Sequence, residues 1–234
     1  MSGWKAKRFW KTATVEESGA GFAILLDGRK VRTPPKTELI VPSMGLAQEI
    51  AAEWDAQEEE VNPTLMPFTK SANSAIDKVA VQFREVADRL AEYGGTDLLC
   101  YRATGPQELV DRQARLWDPV LDWAETHLGA RLVVGAGVIY VPQDEEATRN
   151  LRALVHEMTP FQLAAFHDLV GMSGSLLLGF AAVHGLYPIE TIWDLSRLDE
   201  IWQEEQWGMD EEATELAGKK RIEFLHAEKF YRLA

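Results

Sequence analysis

The hydrophobic rhythm of the chain changes about a quarter of the way along. Up to residue 42, polar and apolar positions alternate, the period of two that sends successive side chains to opposite faces of a strand. Within this stretch Asp27-Gly28 sits between Ile24-Leu25-Leu26 and Arg29-Lys30-Val31. Asp-Gly supplies the left-handed backbone that a two-residue turn demands, so a β-hairpin is expected here. From Ser43 the period lengthens. Leu46, Ile50, Ala51 and Trp54 recur at helical spacing, and Ser43 is placed to cap a helix over residues 44–57. Asn62-Pro63 and Met66-Pro67 then interrupt the pattern, so residues 58–68 read as a joint.

Beyond the joint the helical period dominates. Helices are expected over 71–93, closed by Gly94-Gly95, and over 106–127, ended by Gly129. Further ones follow over 144–158, 160–170, 173–184, 188–206 and 210–232, which makes at least seven after residue 68. The run from Arg131 to Val141 is the one strand-like segment of this half. The fold class that follows is α+β. A small N-terminal β-rich domain with one helix occupies residues 1–66, and a mainly α-helical orthogonal bundle with one strand-like segment occupies 67–234.

The stretch from Ile189 to Thr214 carries the most information about function. As one helix from Pro188 to a left-handed stop at Gly208, it puts Ile192, Leu195, Leu198, Ile201 and Trp202 on one side, with Glu200 and Glu204 on the other. Between Asp199 and Glu215 stand eight acids, including Glu200, Glu204, Glu205 and Asp210, with no Lys or Arg among them. Two readings fit this pattern. It is a packed helix with a solvated face, or it is a docking surface in which Trp202 and Trp207 are aromatic anchors inside a charged rim. Asp210 also suits the N-cap of the last helix.

Charge and composition narrow the field. A formal charge of −13 and a pI near 4.9 disfavour nucleic acid and anionic membrane surfaces as partners. Arg29, Lys30, Arg32 and Lys36 form only a small basic patch, which reads as solvated hairpin charges. One cysteine, Cys100, excludes an internal disulfide and a cysteine-built zinc site, and points to a reducing compartment. The longest apolar run, 176–183, is far below the roughly 18 residues needed to span a bilayer, so no stable membrane insertion is expected. The N-terminus lacks a secretory h-region, and the protein is expected to work in the compartment where it is made.

The known catalytic signatures do not fit. Gly135-Ala136-Gly137 has no third glycine and no helix directly after it, and Gly-Lys-Ser/Thr is missing, so no nucleotide is expected. Ser173-Gly174-Ser175 lacks the rest of a nucleophile elbow. No His-Glu-x-x-His pair offers zinc ligands, and no cofactor or metal is implied. The residual enzymatic alternative is a small-molecule hydrolase using His156 or His167 with a nearby carboxylate, which requires them to converge in a pocket.

Several short blocks taken together resemble one family. Glu53-Trp54-Asp55-Ala56-Gln57, Pro63 to Pro67, and Asn73-Ser74-Ala75-Ile76-Asp77 match its N-terminal motifs. Asp97-Leu98-Leu99-Cys100-Tyr101-Arg102, then Gln113 with Trp117-Asp118-Pro119 and Trp123, match its middle. Gln203-Glu204-Glu205-Gln206-Trp207-Gly208-Met209-Asp210 matches its last block. The family is that of the assembly chaperones that bind the α subunit of the F-type ATP synthase, and the likeness runs from about residue 8 to 215. It implies a β-rich domain before a helical bundle and no enzymatic activity. It also implies a role in holding the unassembled α subunit, masking the surface that later meets β. On this likeness Glu200, Glu204, Glu205, Trp207 and Asp210 are the expected partner-binding residues. Trp54, Asp55, Asp77, Trp117 and Asp118 are expected to be structural. Residues 216–234 match least and receive no role. A bacterial cytoplasm is the expected location, the mitochondrial matrix only if a presequence has been removed.

Overall fold

The computed structural model describes residues 7–19 and 21–234. They form an α+β fold in which the chain gathers into two compact units. The first takes the described residues up to Phe83 together with Thr159–Ala164 and Lys229–Ala234. The second takes Arg84–Met158 and Ala165–Glu228.

In the first unit, β1 (Ala13–Ser18) and β2 (Gly21–Leu26) pair antiparallel over six residues, Ala13 opposite Leu26 and Ser18 opposite Gly21. The expected hairpin follows. Asp27 and Gly28 have φ of 45° and 80°, the two left-handed positions of a type I′ turn, and they join β2 to β3 (Arg29–Lys30). The Asp27 carboxylate accepts the N–H groups of Lys11 and Thr12, each at 3.0 Å, which holds its pKa below the ordinary value. A short β4 (Ile40–Val41) pairs with the start of β2. Central in this sheet, β2 buries Ala23, Ile24, Leu25 and Leu26. Against it lies α1 (Met44–Asp55), which buries Leu46, Ala47, Ile50 and Ala51. Ser43 caps it by accepting from the Leu46 N–H at 3.1 Å. The aromatic stack of Phe68, Phe230 and Phe161, with centroids 6.3 and 6.4 Å apart, completes this core.

The expected helix over 71–93 is broken in the structure. α2 (Pro67–Ser74) passes into a π-helical turn at Ala75–Val79, and α3 (Phe83–Ala91) starts afresh. Short connections then lead to β5 (Tyr101–Arg102) and to the 22-residue α4 (Gln107–Leu128), which ends at left-handed Gly129 as expected. The run expected as a strand over 131–141 contributes only β6 (Gly135–Ala136), parallel to β5. Leu132 is buried, whereas Val133, Val134, Val138, Ile139 and Tyr140 are exposed, and among the described residues no further strand pairs with the run.

The second unit is built around α4 and the wholly apolar α7 (Leu176–Val183), whose residues 176–182 are all buried, the signature of a core helix. With α5 (Glu145–His156), the C-terminal part of α6 (Pro160–Ser173) packs here too. Gly179 permits close approach, since a Cβ there would lie 2.7 Å from Val170 and 3.0 Å from Phe166. At the start of α7 the carboxylate of buried Asp97 accepts from Ser175 Oγ at 2.7 Å and from the Leu177 and Leu99 N–H groups, both at 3.0 Å. Burial pushes its pKa up, and these donors pull against that.

Candidate functional site

The single helix expected from 188 to 206 is two helices. α8 (Ile189–Ser196) ends at Arg197, whose backbone (φ −115°, ψ 20°) leaves the helical region, and α9 (Leu198–Trp207) begins at a new angle. The break exists because both halves bury their own apolar residues. Ile192, Trp193 and Leu195 are buried on α8 and Leu198 on α9, whereas Ile201 and Trp202 are only half-buried. The Trp117 indole fixes the junction by donating to the Leu195 carbonyl at 2.9 Å.

The acids of α9 are not unpaired, contrary to the local sequence pattern. The Arg197 guanidinium turns back toward Glu204 (3.6 Å) and Glu200 (3.9 Å). Arg112 of α4 grips Glu205 through two hydrogen bonds of 2.5 and 3.0 Å and lies over the Trp202 ring, 5.9 Å from its centroid. This holds the Glu205 carboxyl below the ordinary range. Gln113 donates to Asp199 at 2.7 Å, while its own oxygen accepts the Ala103 N–H at 2.8 Å. Arg112 and Gln113 arrive from 93 and 86 residues upstream, so no local pattern could reveal those two pairings, whereas Arg197 is a near neighbour in sequence.

What α9 leaves free is its end. Trp207 is 79% exposed and Met209 is also exposed, on either side of left-handed Gly208 (φ 90°). Asp210 then caps α10 (Glu211–Leu233), accepting the Ala213 N–H at 2.8 Å, with Glu211 and Glu212 in the first turn. An aromatic ring and a thioether thus stand in water beside a rim of carboxylates. Next to them, a cleft of about 480 Å³ has Trp193, Arg197, Asp199, Glu200, Gln203 and Lys220 among its walls.

Of the residues expected to be structural, Trp117 is wholly buried, and Asp118 receives Arg102 at 2.8 Å. Arg102 also donates to the Leu99 carbonyl at 2.8 Å and covers the Trp117 ring at 5.2 Å. Asp77 accepts from Thr33 Oγ1 at 2.9 Å. Asp55 pairs with Arg8 at 3.5 Å while largely exposed. Trp54 is half-buried and meets Trp10 edge to face at 5.2 Å, and its carbonyl accepts the Trp10 indole N–H at 3.3 Å. Its own Nε1 is buried without a partner among the described residues. Glu53 has a role that the pattern did not disclose. Its carboxylate accepts from Phe68 N, Thr69 N and Thr69 Oγ1 at 2.6–2.8 Å, capping α2, which has no capping side chain of its own.

The histidines of the hydrolase alternative each meet a different carboxylate. His156 Nε2 lies 2.7 Å from Asp88, which Arg152 also contacts at 2.6 Å, on a surface where Asp88 is substantially exposed. His167 approaches only its sequence neighbour Asp168, at 3.4 Å. Neither lines the cleft beside α9. Among the described residues no group of three or more His, Cys, Asp or Glu could hold a metal ion, and no helix is long and apolar enough to cross a membrane. Burial pushes the Cys100 thiol up to about 12, which leaves it inert as a nucleophile.

Comparison with known proteins completes the picture. The family description "ATP12 chaperone protein" matches residues 7–125. Among curated proteins, the mitochondrial protein atp12 of Schizosaccharomyces pombe is 29% identical over 222 residues, covering 90% of this chain and 76% of its own. The crystal structure of Atp12 from Paracoccus denitrificans superposes with a TM-score of 0.96 at 49% identity over 99% of both chains, and so does a point mutant of it. The Atu1473 protein of Agrobacterium tumefaciens gives 0.93 at 42% identity, covering 97% of this chain and 85% of that one. With its sheet, its paired acids and its exposed Trp207 set in a fold shared over almost the whole length of these proteins, the chain belongs to the ATP12 chaperone family.

Proposed function

We propose that this protein is an assembly chaperone of the F-type ATP synthase that binds the unassembled α subunit and masks the surface that later meets β. The observation that carries the reading is the end of α9, where Trp207 stands 79% exposed beside carboxylates, in a member of a chaperone family. Such an anchor supplies affinity once it enters an apolar pocket, and the charges around it favour register and encounter rate. Glu205 is presented to the client already oriented by Arg112. Glu200 and Glu204 are steered by Arg197, and Asp210 holds the corner that carries Trp207 and Met209.

On this reading the chain acts by binding rather than catalysis and needs no nucleotide. The test is light scattering of the isolated α subunit diluted from denaturant. Stoichiometric amounts of the protein suppress the scattering, and Trp207→Ala suppresses it poorly although its melting temperature matches the parent. Equal suppression by Trp207→Ala would remove this corner from the interface.

A further inference from the structure

We infer that the loop after β6 is a second docking element for the same client, inserting Val138, Ile139 and Tyr140 into an apolar, uncharged part of the subunit surface. The inference rests on the chaperone reading above and adds a surface that lies outside the α9 corner. Val138 is 96% exposed, Ile139 80% and Tyr140 61%, with Val133 and Val134 also in solvent. Such side chains, contiguous and unshielded, mark a contact surface rather than the scattered apolar exposure of any protein.

The loop is held, not loose. At its base Gln143 bridges the two arms, its Oε1 accepting the Val133 N–H at 2.6 Å. Its Nε2 donates to the Val133 carbonyl at 3.0 Å and the Val141 carbonyl at 3.4 Å. The Gly137 N–H donates to the Arg102 carbonyl at 2.8 Å, and φ of 83° at Gly137 turns the chain out toward the tip. Val141 sits where a Cβ on Gly135 would stand, 2.3 Å from that position, so the two arms close only because residue 135 is glycine. A tip fixed in this way gives up little conformational entropy on binding, which is how a preorganised loop gains affinity.

Charge selects the occupant. Residues 132–143 contain no ionisable group other than the Tyr140 phenol, in a chain where 26% of residues are charged and the formal charge is −13. A second copy brings the same negative charge and is repelled, as is an anionic membrane. What remains is a neutral or basic protein surface with an exposed apolar patch. A subunit whose permanent interface is not yet covered has that surface, because permanent interfaces are more apolar than ordinary surface.

The test uses the full-length protein and the isolated α subunit. Val138→Ser, Ile139→Ser and Tyr140→Ser are combined, and affinity is measured beside hydrogen exchange of the parent complex. The expected result is capture at least about tenfold weaker, with the melting temperature and circular dichroism of the parent and with slowed exchange at amides 138–141 in the complex. If the parent binds α while the variant binds equally well and these amides exchange freely, the loop inference is overturned and the chaperone reading stands. If the parent binds no subunit, the chaperone reading itself fails. If the same changes dissolve a dimer of the free protein, the occupant is a second copy and the inference is overturned.

Discussion

At the scale of single residues, the acids that dominate the α9 sequence divide into held and solvated groups. Glu205 is gripped by Arg112 in the exposed zone, so Glu205→Lys places a cation against Arg112 without disturbing any buried contact. The expected outcome is a melting temperature close to the parent's and weakened capture of α. Unchanged capture, measured by titration, removes Glu205 from the interface. Trp54 is the opposite case. Its ring packs on Trp10 while its indole N–H is buried without a partner among the described residues. Trp54→Phe keeps the ring contact and deletes the unsatisfied donor, so it is expected to cost under about 1.5 kcal/mol in chemical denaturation. Trp54→Arg puts a charge in that place and is expected to cost about 3 kcal/mol or more, seen as insoluble or early-melting protein.

Asp97 gives a pH prediction. Burial raises its pKa from 3.8, so the folded state holds this proton more tightly than the unfolded chain. Its contribution to stability is therefore greatest below that ordinary value and declines as pH rises through the window between the unfolded and the folded pKa. Asp97→Asn is expected to flatten this part of the stability profile. It also loses about 1–3 kcal/mol for the backbone N–H left facing an amide donor, as measured by denaturation from pH 3 upward.

At the scale of elements, the parts legible in the sequence are those whose cause is local. Asp27-Gly28 specifies a left-handed turn, Ser43 and Asp210 cap the helices that follow them, and Gly129 stops α4. The parts that were not legible have distant causes. The α8–α9 break at Arg197 depends on Trp117, 78 residues away, bonding to Leu195. The 131–141 run has strand composition, but among the described residues only β5 pairs with it, so only two of its residues join a ladder. Likewise the α2 N-terminus relies on Glu53, fifteen residues upstream of Phe68. Helix contact gives a further prediction. Gly179→Ala forces a methyl within 2.7 Å of Val170, and overpacking of this kind costs about 1–3 kcal/mol. For a chain of this length a loss of 1 kcal/mol corresponds to about 2–4 °C of melting temperature, so a drop of that order per kcal/mol is expected in a thermal scan.

At the scale of the whole molecule, a formal charge of −13 sets the long-range behaviour. If the client surface is basic, encounter is expected to slow as salt rises from about 50 to 300 mM, while dissociation, on the proposed reading governed by apolar anchors, changes little. On the proposed reading, the paired acids of α9 would serve the first of these roles and the exposed Trp207 the second. The family motifs spread along the chain carry more of this account than any single block. In the second unit Arg102 joins Asp118 to the Trp117 ring, and Asp97 and Gln113 fix the backbone on either side of it, at Leu99 and Ala103. Co-purification of this protein with separately expressed α and β subunits, with no nucleotide added, tests the central claim most directly. A stable one-to-one complex with α alone is the predicted result, and a complex with β alone or with neither subunit would contradict it.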